Sequence, residues 1–154
     1  MRKPIFLKHE TQQLFDKQGY VVIPFINKEQ RYSLDCYFEE MHTDLPKSGF
    51  FASSYSSDKE YKQNVSNRIV EILTESYQNT FQNFQPFGAS FLFKMPTGDS
   101  ALAVHQDWTI VNEEIQYALN CWIPLTEITK DNGTLMVLPG SHFDNYRSLR
   151  APTL

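Results

Sequence analysis

The sequence predicts an α+β fold in which helices come first and short strands follow. Apolar residues recur at spacings of three and four as far as residue 81, which is the period of amphipathic helices. From Pro86 onward apolar and polar residues alternate, which is the period of strands with one buried face. Short strands separated by turn residues are typical of a sandwich or barrel core. The length of 154 residues favours a single domain over 1–154.

Two helices are predicted near the N-terminus. A short polar helix over residues 10–17 ends before Gly19, a residue suited to the left-handed conformation that follows many helices. A second helix over about 28–42 begins after Asn27, and Gln30 stands three residues later, where it completes a capping box. Its apolar face is predicted to consist of Leu34, Tyr37, Phe38, Met41 and Leu45.

A third, longer helix follows a Gly- and Ser-rich loop over 46–57. Ser57 and Glu60 have the spacing of a second capping box and mark its predicted start. Its apolar stripe is Val65, Ile69, Ile72, Leu73, Tyr77 and Phe81.

Alternation and β-branched content predict five strands. In the second of them Phe91 and Phe93 share one face, and Lys94 lies on the other. Asn132-Gly133 is a strong turn signal before the last one. The five segments are 20–24, 87–95, 101–108, 117–125 and 134–138.

Composition excludes several classes of function. There are 14 basic and 18 acidic residues, a net charge of -4, and no basic patch, so a nucleic-acid partner is not expected. No apolar run reaches the roughly 18 residues that span a membrane. The N-terminus lacks the apolar region of a signal peptide, and Cys36 and Cys121 form no paired motif, so we expect reduced thiols and a cytoplasmic location.

His105 and Asp107 are the residues with the clearest chemistry. They stand two apart in a predicted strand, so their side chains should point to the same face. An imidazole and a carboxylate are two of the three protein ligands in the facial triad that holds Fe(II) in non-haem oxygenases. The alternative interpretation is a solvated pair on a strand surface.

Three further motifs accompany this pair and together carry a resemblance. They are FDKQGYVV at 15–22, CWIPL at 121–125 and NGTLMVLPGSH at 132–142. With the His-x-Asp pair they resemble the phytanoyl-CoA dioxygenase family over most of the chain, from about Thr11 to His142. That family consists of Fe(II)- and 2-oxoglutarate-dependent oxygenases, in which N-terminal helices pack on a double-stranded β-helix, or jelly-roll, core.

The resemblance implies that His105 and Asp107 are the first two iron ligands. It also implies a third ligand, a histidine, and an arginine for 2-oxoglutarate, both well beyond the PGSH turn. Only Arg147 and Arg150 follow His142. We therefore expect an N-terminal portion of a longer enzyme, with a jelly roll incomplete at its C-terminus and no activity on its own.

The resemblance further implies hydroxylation of an unactivated C–H bond in a small molecule, with O2 and 2-oxoglutarate as cosubstrates. The presence of Asp107 favours hydroxylation over halogenation, because related halogenases have a small residue there. Lys94 and Asn120 are candidates for contact with 2-oxoglutarate or for lining a substrate pocket. For Lys94 the alternative is an ordinary solvated lysine.

Two other hypotheses stay open. The chain could be a non-catalytic jelly-roll fragment or binding module, because its ligand set is incomplete. Alternatively, His142 could join His105 and Asp107 in a zinc site with an open position, although a turn histidine more often bonds backbone. The sequence identifies neither the substrate nor the oligomeric state.

Overall fold

The computed structural model describes residues 2–107 and 111–143, and within them it is a mixed helix and strand structure. Three α-helices are present in this part of the chain: α1, His9–Gln18; α2, Lys28–Met41; and α3, Lys59–Thr80. Two short strands, β1 at Phe50–Ala52 and β2 at Leu92–Lys94, pair antiparallel. The predicted α+β class is confirmed. Trp108, Arg147 and Arg150 lie outside the described residues.

Capping geometry confirms the predicted C-terminal end of α1 and the predicted N-terminal start of α2. Gly19 follows α1 with φ 80°, and its N–H donates to the Phe15 carbonyl. Asn27 accepts from the backbone N–H of Gln30, while the Gln30 side chain accepts from the Asn27 N–H, so both halves of the capping box form. Local chemistry therefore determines where these helices stop and start.

The predicted start of α3 is wrong by one residue. Asp58, not Ser57, is the cap, and its carboxylate accepts from the backbone N–H of Tyr61. Aspartate and serine cap about equally well, so the backbone geometry, which places Asp58 three positions before the Tyr61 N–H, decides between the two neighbours. Leu45 is also misassigned, since α2 ends at Met41 and Leu45 is exposed.

The main core lies between α2, α3 and the segment that leads into β2. Its fully buried members come from three separate stretches of the chain. They are Leu34, Val65, Ile69, Leu73 and Phe91. Phe38 of α2 meets the rings of Phe91 and Phe93 edge to face, which places the small sheet against α2.

A second cluster joins the N-terminus to α1 and the end of α3. The rings of Phe6, Phe15 and Phe81 pack together, and Phe6 and Phe81 form an isolated antiparallel bridge. The buried Gln12 carboxamide accepts from the backbone N–H groups of Ile5 and Phe6. The N-terminal segment is therefore held by both apolar and polar contacts.

Only part of the predicted strand content forms a ladder. Of the predicted strand 87–95, Leu92–Lys94 pairs, and its partner Phe50–Ala52 lies in the stretch predicted as a loop. Phe51 stands opposite Phe93 in the register, and the two rings stack with centroids 4.5 Å apart. The predicted alternation holds here, since Phe91 is buried and Leu92 is exposed.

The other four predicted strands do not pair in the described residues: 20–24, the described part of 101–108, 117–125 and 134–138. A strand needs a neighbour to satisfy its backbone groups and cover its apolar face. Without one, Val22, Val104 and Met136 are almost fully exposed. The described residues hold one two-stranded sheet, so the expected jelly roll is not seen in them.

The PGSH turn returns to the carboxyl end of α1. The Gly140 N–H donates to the Gln18 carbonyl at 2.8 Å, and His142 Nε2 lies 3.0 Å from the Asp16 carbonyl oxygen. The Asp16 carboxylate also accepts from the Tyr117 hydroxyl at 2.7 Å. These contacts hold the PGSH turn and Tyr117 against α1. In the part of the chain that the structure describes, no helix has the length and apolar character to cross a membrane.

Candidate functional site

His105 and Asp107 lie close together in an irregular segment that bends at Val104 and follows a short 3-10 turn at Gly98–Ser100. His105 Nε2 is 3.5 Å from Asp107 Oδ1. Their side chains are 40% and 59% exposed, so both remain accessible to solvent. The predicted proximity of the two side chains is observed, although the segment is not part of a sheet.

The backbone determines which nitrogen of His105 carries a proton. Nδ1 lies 2.7 Å from the carbonyl oxygen of Ala103, and a carbonyl oxygen can only accept. Nδ1 must therefore hold a hydrogen and donate it. In the neutral imidazole this leaves Nε2 with a lone pair, and Nε2 is the nitrogen that faces Asp107.

The Nε2 lone pair and the carboxylate oxygen that face each other are two electron-pair donors that one cation can bind together. Metal-binding histidines ordinarily donate their other ring N–H to a carbonyl or carboxylate, as His105 does to Ala103. At metal–ligand distances of about 2.1 Å, two donor atoms 3.5 Å apart can share one ion. The donor set therefore fits a metal ion.

Asn120 contacts the same carboxylate from the other side. Its Nδ2 donates to Asp107 Oδ2 at 2.6 Å. Of the two residues predicted to line a cofactor or substrate pocket, the structure brings Asn120 into hydrogen-bonding contact with Asp107. Lys94 is an exposed residue of β2 whose aliphatic stem lies beside Gly133.

The described residues bring together two possible metal ligands and no third. Within 2–107 and 111–143, no group of three or more His, Cys, Asp or Glu side chains is arranged to hold a metal ion. Two protein ligands bind a metal weakly compared with three or four. A complete facial triad would need a third donor from outside these ranges.

His142 has the backbone-bonding role predicted for a turn histidine. Its Nε2 donates to the Asp16 carbonyl at 3.0 Å, and its ring packs on Gly19. The bonded backbone lies on α1, far away in the sequence, and not within the turn. The zinc hypothesis therefore gains no support from the structure.

Sequence reasoning missed two contributors to the site. The Ala103 carbonyl orients His105, but a backbone group leaves no trace in residue type. The bond between Asn120 and Asp107 joins two segments whose approach depends on tertiary structure. A polar residue inside an otherwise apolar alternating stretch was the one available signal for Asn120.

His42 has a structural role that its position in the sequence does not indicate. Its Nδ1 donates to the Phe38 carbonyl at 2.8 Å, and its Nε2 lies 2.6 Å from the Tyr61 hydroxyl, which then donates. The ring stacks on Phe38 with centroids 4.5 Å apart. His42 therefore closes the end of α2 and joins it to α3. Burial raises the pKa of the Tyr61 hydroxyl in this contact.

Comparison with known proteins gave one family and two curated relatives. The profile of the family described as "Phytanoyl-CoA dioxygenase (PhyH)" matches residues 15–153. A phytanoyl-CoA dioxygenase of Arabidopsis thaliana is 27% identical over 139 residues, which cover 77% of this chain and 48% of the relative. A phytanoyl-CoA dioxygenase domain-containing protein 1 homolog of Caenorhabditis elegans is 35% identical over 65 residues, which cover 39% of this chain and 23% of the relative.

The matched region spans about half the length of the first relative and less of the second. No solved structure gave a significant match to the chain.

Proposed function

Since the chain belongs to the phytanoyl-CoA dioxygenase family, we propose that it forms the iron-binding part of a non-haem Fe(II)- and 2-oxoglutarate-dependent dioxygenase. The full-length protein would hydroxylate an unactivated C–H bond of a small molecule. The observation that carries the proposal is the pair of acceptor atoms, His105 Nε2 and Asp107 Oδ1, that face each other at 3.5 Å. Two donor atoms at this separation are close enough to bind the same metal ion.

Each ligand has a defined role in this proposal. His105 offers Nε2, while the Ala103 carbonyl holds the proton on Nδ1 and fixes the plane of the ring. Asp107 offers Oδ1 and neutralises part of the charge of the ion. When bound, Fe(II) with 2-oxoglutarate and O2 supplies the oxidation, in which 2-oxoglutarate loses CO2 to give succinate and the substrate gains oxygen. The chain's residues orient and hold the metal.

The segments 101–107, 117–125 and 134–138 are proposed to be jelly-roll strands. Their apolar side chains support this, because Val104, Trp122 and Met136 are exposed and would be covered once neighbouring strands pair. The third metal ligand and the arginine for 2-oxoglutarate would come from outside the described residues. Lys94, exposed on β2, is a proposed partner for a carboxylate of 2-oxoglutarate.

A cytoplasmic location of this single domain is also proposed, and the two free thiols, Cys36 and Cys121, are consistent with it.

Metal binding tests the proposal most directly. Fe(II) is titrated anaerobically into the full-length protein, its His105→Ala and Asp107→Ala variants, and His142→Ala as a matched control. We expect His105→Ala and Asp107→Ala to lose stoichiometric binding, while His142→Ala binds as the wild type does, since its ring bonds to α1. Equal Fe(II) affinity in His105→Ala and wild type would contradict the ligand assignment.

A non-catalytic binding module is the second candidate, and one observation favours it: the described residues bring together only two ligands. Succinate production separates the two functions. A full-length protein that binds Fe(II) through His105 but never converts 2-oxoglutarate to succinate, with or without a library of small-molecule substrates, would support the binding module.

A further inference from the structure

We infer that Asn120 is a positioning residue, whose carboxamide holds Asp107 so that one chosen oxygen faces the metal-binding nitrogen of His105. The inference rests on the proposed function and assigns Asn120 a role different from a cofactor or substrate contact. Asn120 does not touch the ion in this arrangement. It acts through Asp107.

The geometry separates the two oxygens of Asp107. Oδ2 accepts from Asn120 Nδ2 at 2.6 Å, and Oδ1 lies 3.5 Å from His105 Nε2. A free aspartate exchanges its oxygens by rotation about the Cβ–Cγ bond. A short hydrogen bond to one oxygen stops that rotation and makes the carboxylate asymmetric.

This asymmetry favours binding through a single oxygen. Oδ2 is engaged by the Asn120 N–H donor, and Oδ1 is the oxygen that faces Nε2. Bidentate binding would occupy one more position on the ion, so a carboxylate held to one oxygen leaves that position open for an exchangeable ligand. Asn120 would therefore control the number of open positions as well as the affinity.

His105 and Asp107 are held in parallel ways by different parts of the chain. The Ala103 carbonyl, two residues away, fixes the His105 ring, while Asn120, 13 residues away in sequence, fixes the Asp107 carboxylate. The two supports act on the ligand atoms that point away from the pair. Each ligand is thereby oriented before any ion arrives, which lowers the cost of ordering on binding.

Cobalt(II) provides the test, because its visible absorption reports coordination number as well as affinity. Co(II) is titrated into the full-length protein and into Asn120→Leu, which keeps the approximate shape of the side chain but lacks the donor. Asn67→Leu, the same change at an exposed position of α3, is the matched control. We expect Asn120→Leu to weaken Co(II) binding by about 10- to 100-fold, the usual effect of removing such a support.

The spectrum gives a readout that a general loss of stability would not change. At saturating Co(II), we expect Asn120→Leu to have a weaker visible absorption, because a released carboxylate can bind through both oxygens and raise the coordination number. Asn120→Gln, which retains the carboxamide, should recover part of the affinity and the band intensity. If Asn120→Leu does not fold, Asn120→Ala replaces it, since truncation of an exposed side chain adds no bulk.

The His105→Ala variant distinguishes an error in the proposed metal site from an error in the role of Asn120. If His105→Ala binds Co(II) as the wild type does, the metal site itself is wrong. If His105→Ala abolishes binding while Asn120→Leu retains wild-type affinity and spectrum, the site stands and the positioning role of Asn120 is overturned.

Discussion

The imidazole ring of His142 lies where a β-carbon on Gly19 would be. A β-carbon built on Gly19 comes within 2.9 Å of His142 Cγ and still closer to Nδ1. Gly19 also has φ 80°, a conformation that glycine adopts without strain. The motif at 15–22, which ends α1, therefore meets the PGSH turn at Gly19. The residue at this position must lack a side chain.

Gly19→Ala should destabilise the protein through both effects. The left-handed conformation costs an alanine about 1–2 kcal/mol, and the methyl group must also displace the His142 ring. Urea denaturation gives the free energy of unfolding. Repeating the substitution in a His142→Ala background should leave only the conformational part. Equal losses in the two backgrounds would contradict the predicted clash.

Gln30→Glu should weaken the junction between α2 and α3. Gln30 Oε1 accepts from the Asn27 N–H and the Ser76 hydroxyl, while Nε2 donates to the Ile72 carbonyl at 3.0 Å. Glutamate places an oxygen against that carbonyl, so we expect a loss of about 1–3 kcal/mol at pH 7 by urea denaturation. Gln13→Glu, exposed on α1, is the control and should change little. A loss that is the same at pH 3, where glutamate is protonated, would argue against this cause.

Leu73→Ala should be among the more damaging substitutions in the core. Leu73 is 2% exposed and packs within the cluster shared by α2 and α3. Removal of a buried leucine side chain costs about 2–5 kcal/mol, because it loses apolar burial and leaves a cavity. Leu7→Ala, at a half-exposed leucine, should cost much less in the same thermal or urea unfolding experiment. Similar losses for both would show that the core does not lie where the structure has it.

Tyr77 should make stability fall at alkaline pH. Burial raises the pKa of its hydroxyl to about 12, whereas an unfolded tyrosine ionises near 10. The contribution is fully present below pH 10 and is lost as pH rises through 12, because the unfolded chain releases its proton first. Its size is on the order of 1 kcal/mol once solvent screening of the partly exposed phenol is considered. Tyr77→Phe should reduce the loss of stability between about pH 10 and 12, and Tyr55→Phe, at an exposed tyrosine, is the control.

Asp107→Ala should abolish the proposed hydroxylation by the full-length protein, because the metal would lose a charged ligand. Succinate formation and product formation are measured together with saturating Fe(II) and 2-oxoglutarate. Asp99→Ala, which removes a carboxylate that accepts from the Gly49 N–H, is a control at a position outside the site. Hydroxylation at the wild-type rate in Asp107→Ala would disprove its role as a ligand.

The helices were predictable because their signals are local. Gly19 ends α1 and Asn27 with Gln30 starts α2 through contacts within a few residues, so residue type and spacing are sufficient. Asp58 took the place of Ser57 because two adjacent residues could both cap, and only the backbone geometry chooses between them.

The strands were harder because pairing is not local. Phe50–Ala52 pairs with Leu92–Lys94 across some 40 residues, and nothing in its Gly- and Ser-rich surroundings indicates a partner. In segments such as 117–125, apolar and polar residues alternate as they do in strands. Such alternation indicates which face would be buried, but it does not indicate whether a neighbouring strand is present.

At the site, residue types at strand spacing were enough to pair His105 with Asp107. The support from Asn120 required tertiary structure, since residue type alone was equally consistent with a pocket residue.

The docking of the PGSH turn on α1 has a consequence for the order of events during synthesis. The Asp16 carbonyl receives its hydrogen bond from His142, 126 residues later in the chain. At roughly 5–20 residues per second, about 6 to 25 s separate the two residues on the ribosome. During that interval the Asp16 and Gln18 carbonyls lack their partners from the PGSH turn, and closing so long a loop is entropically costly. The docking of the PGSH turn on α1 should therefore form late as the chain is made, although α1 itself is among the first parts to be translated.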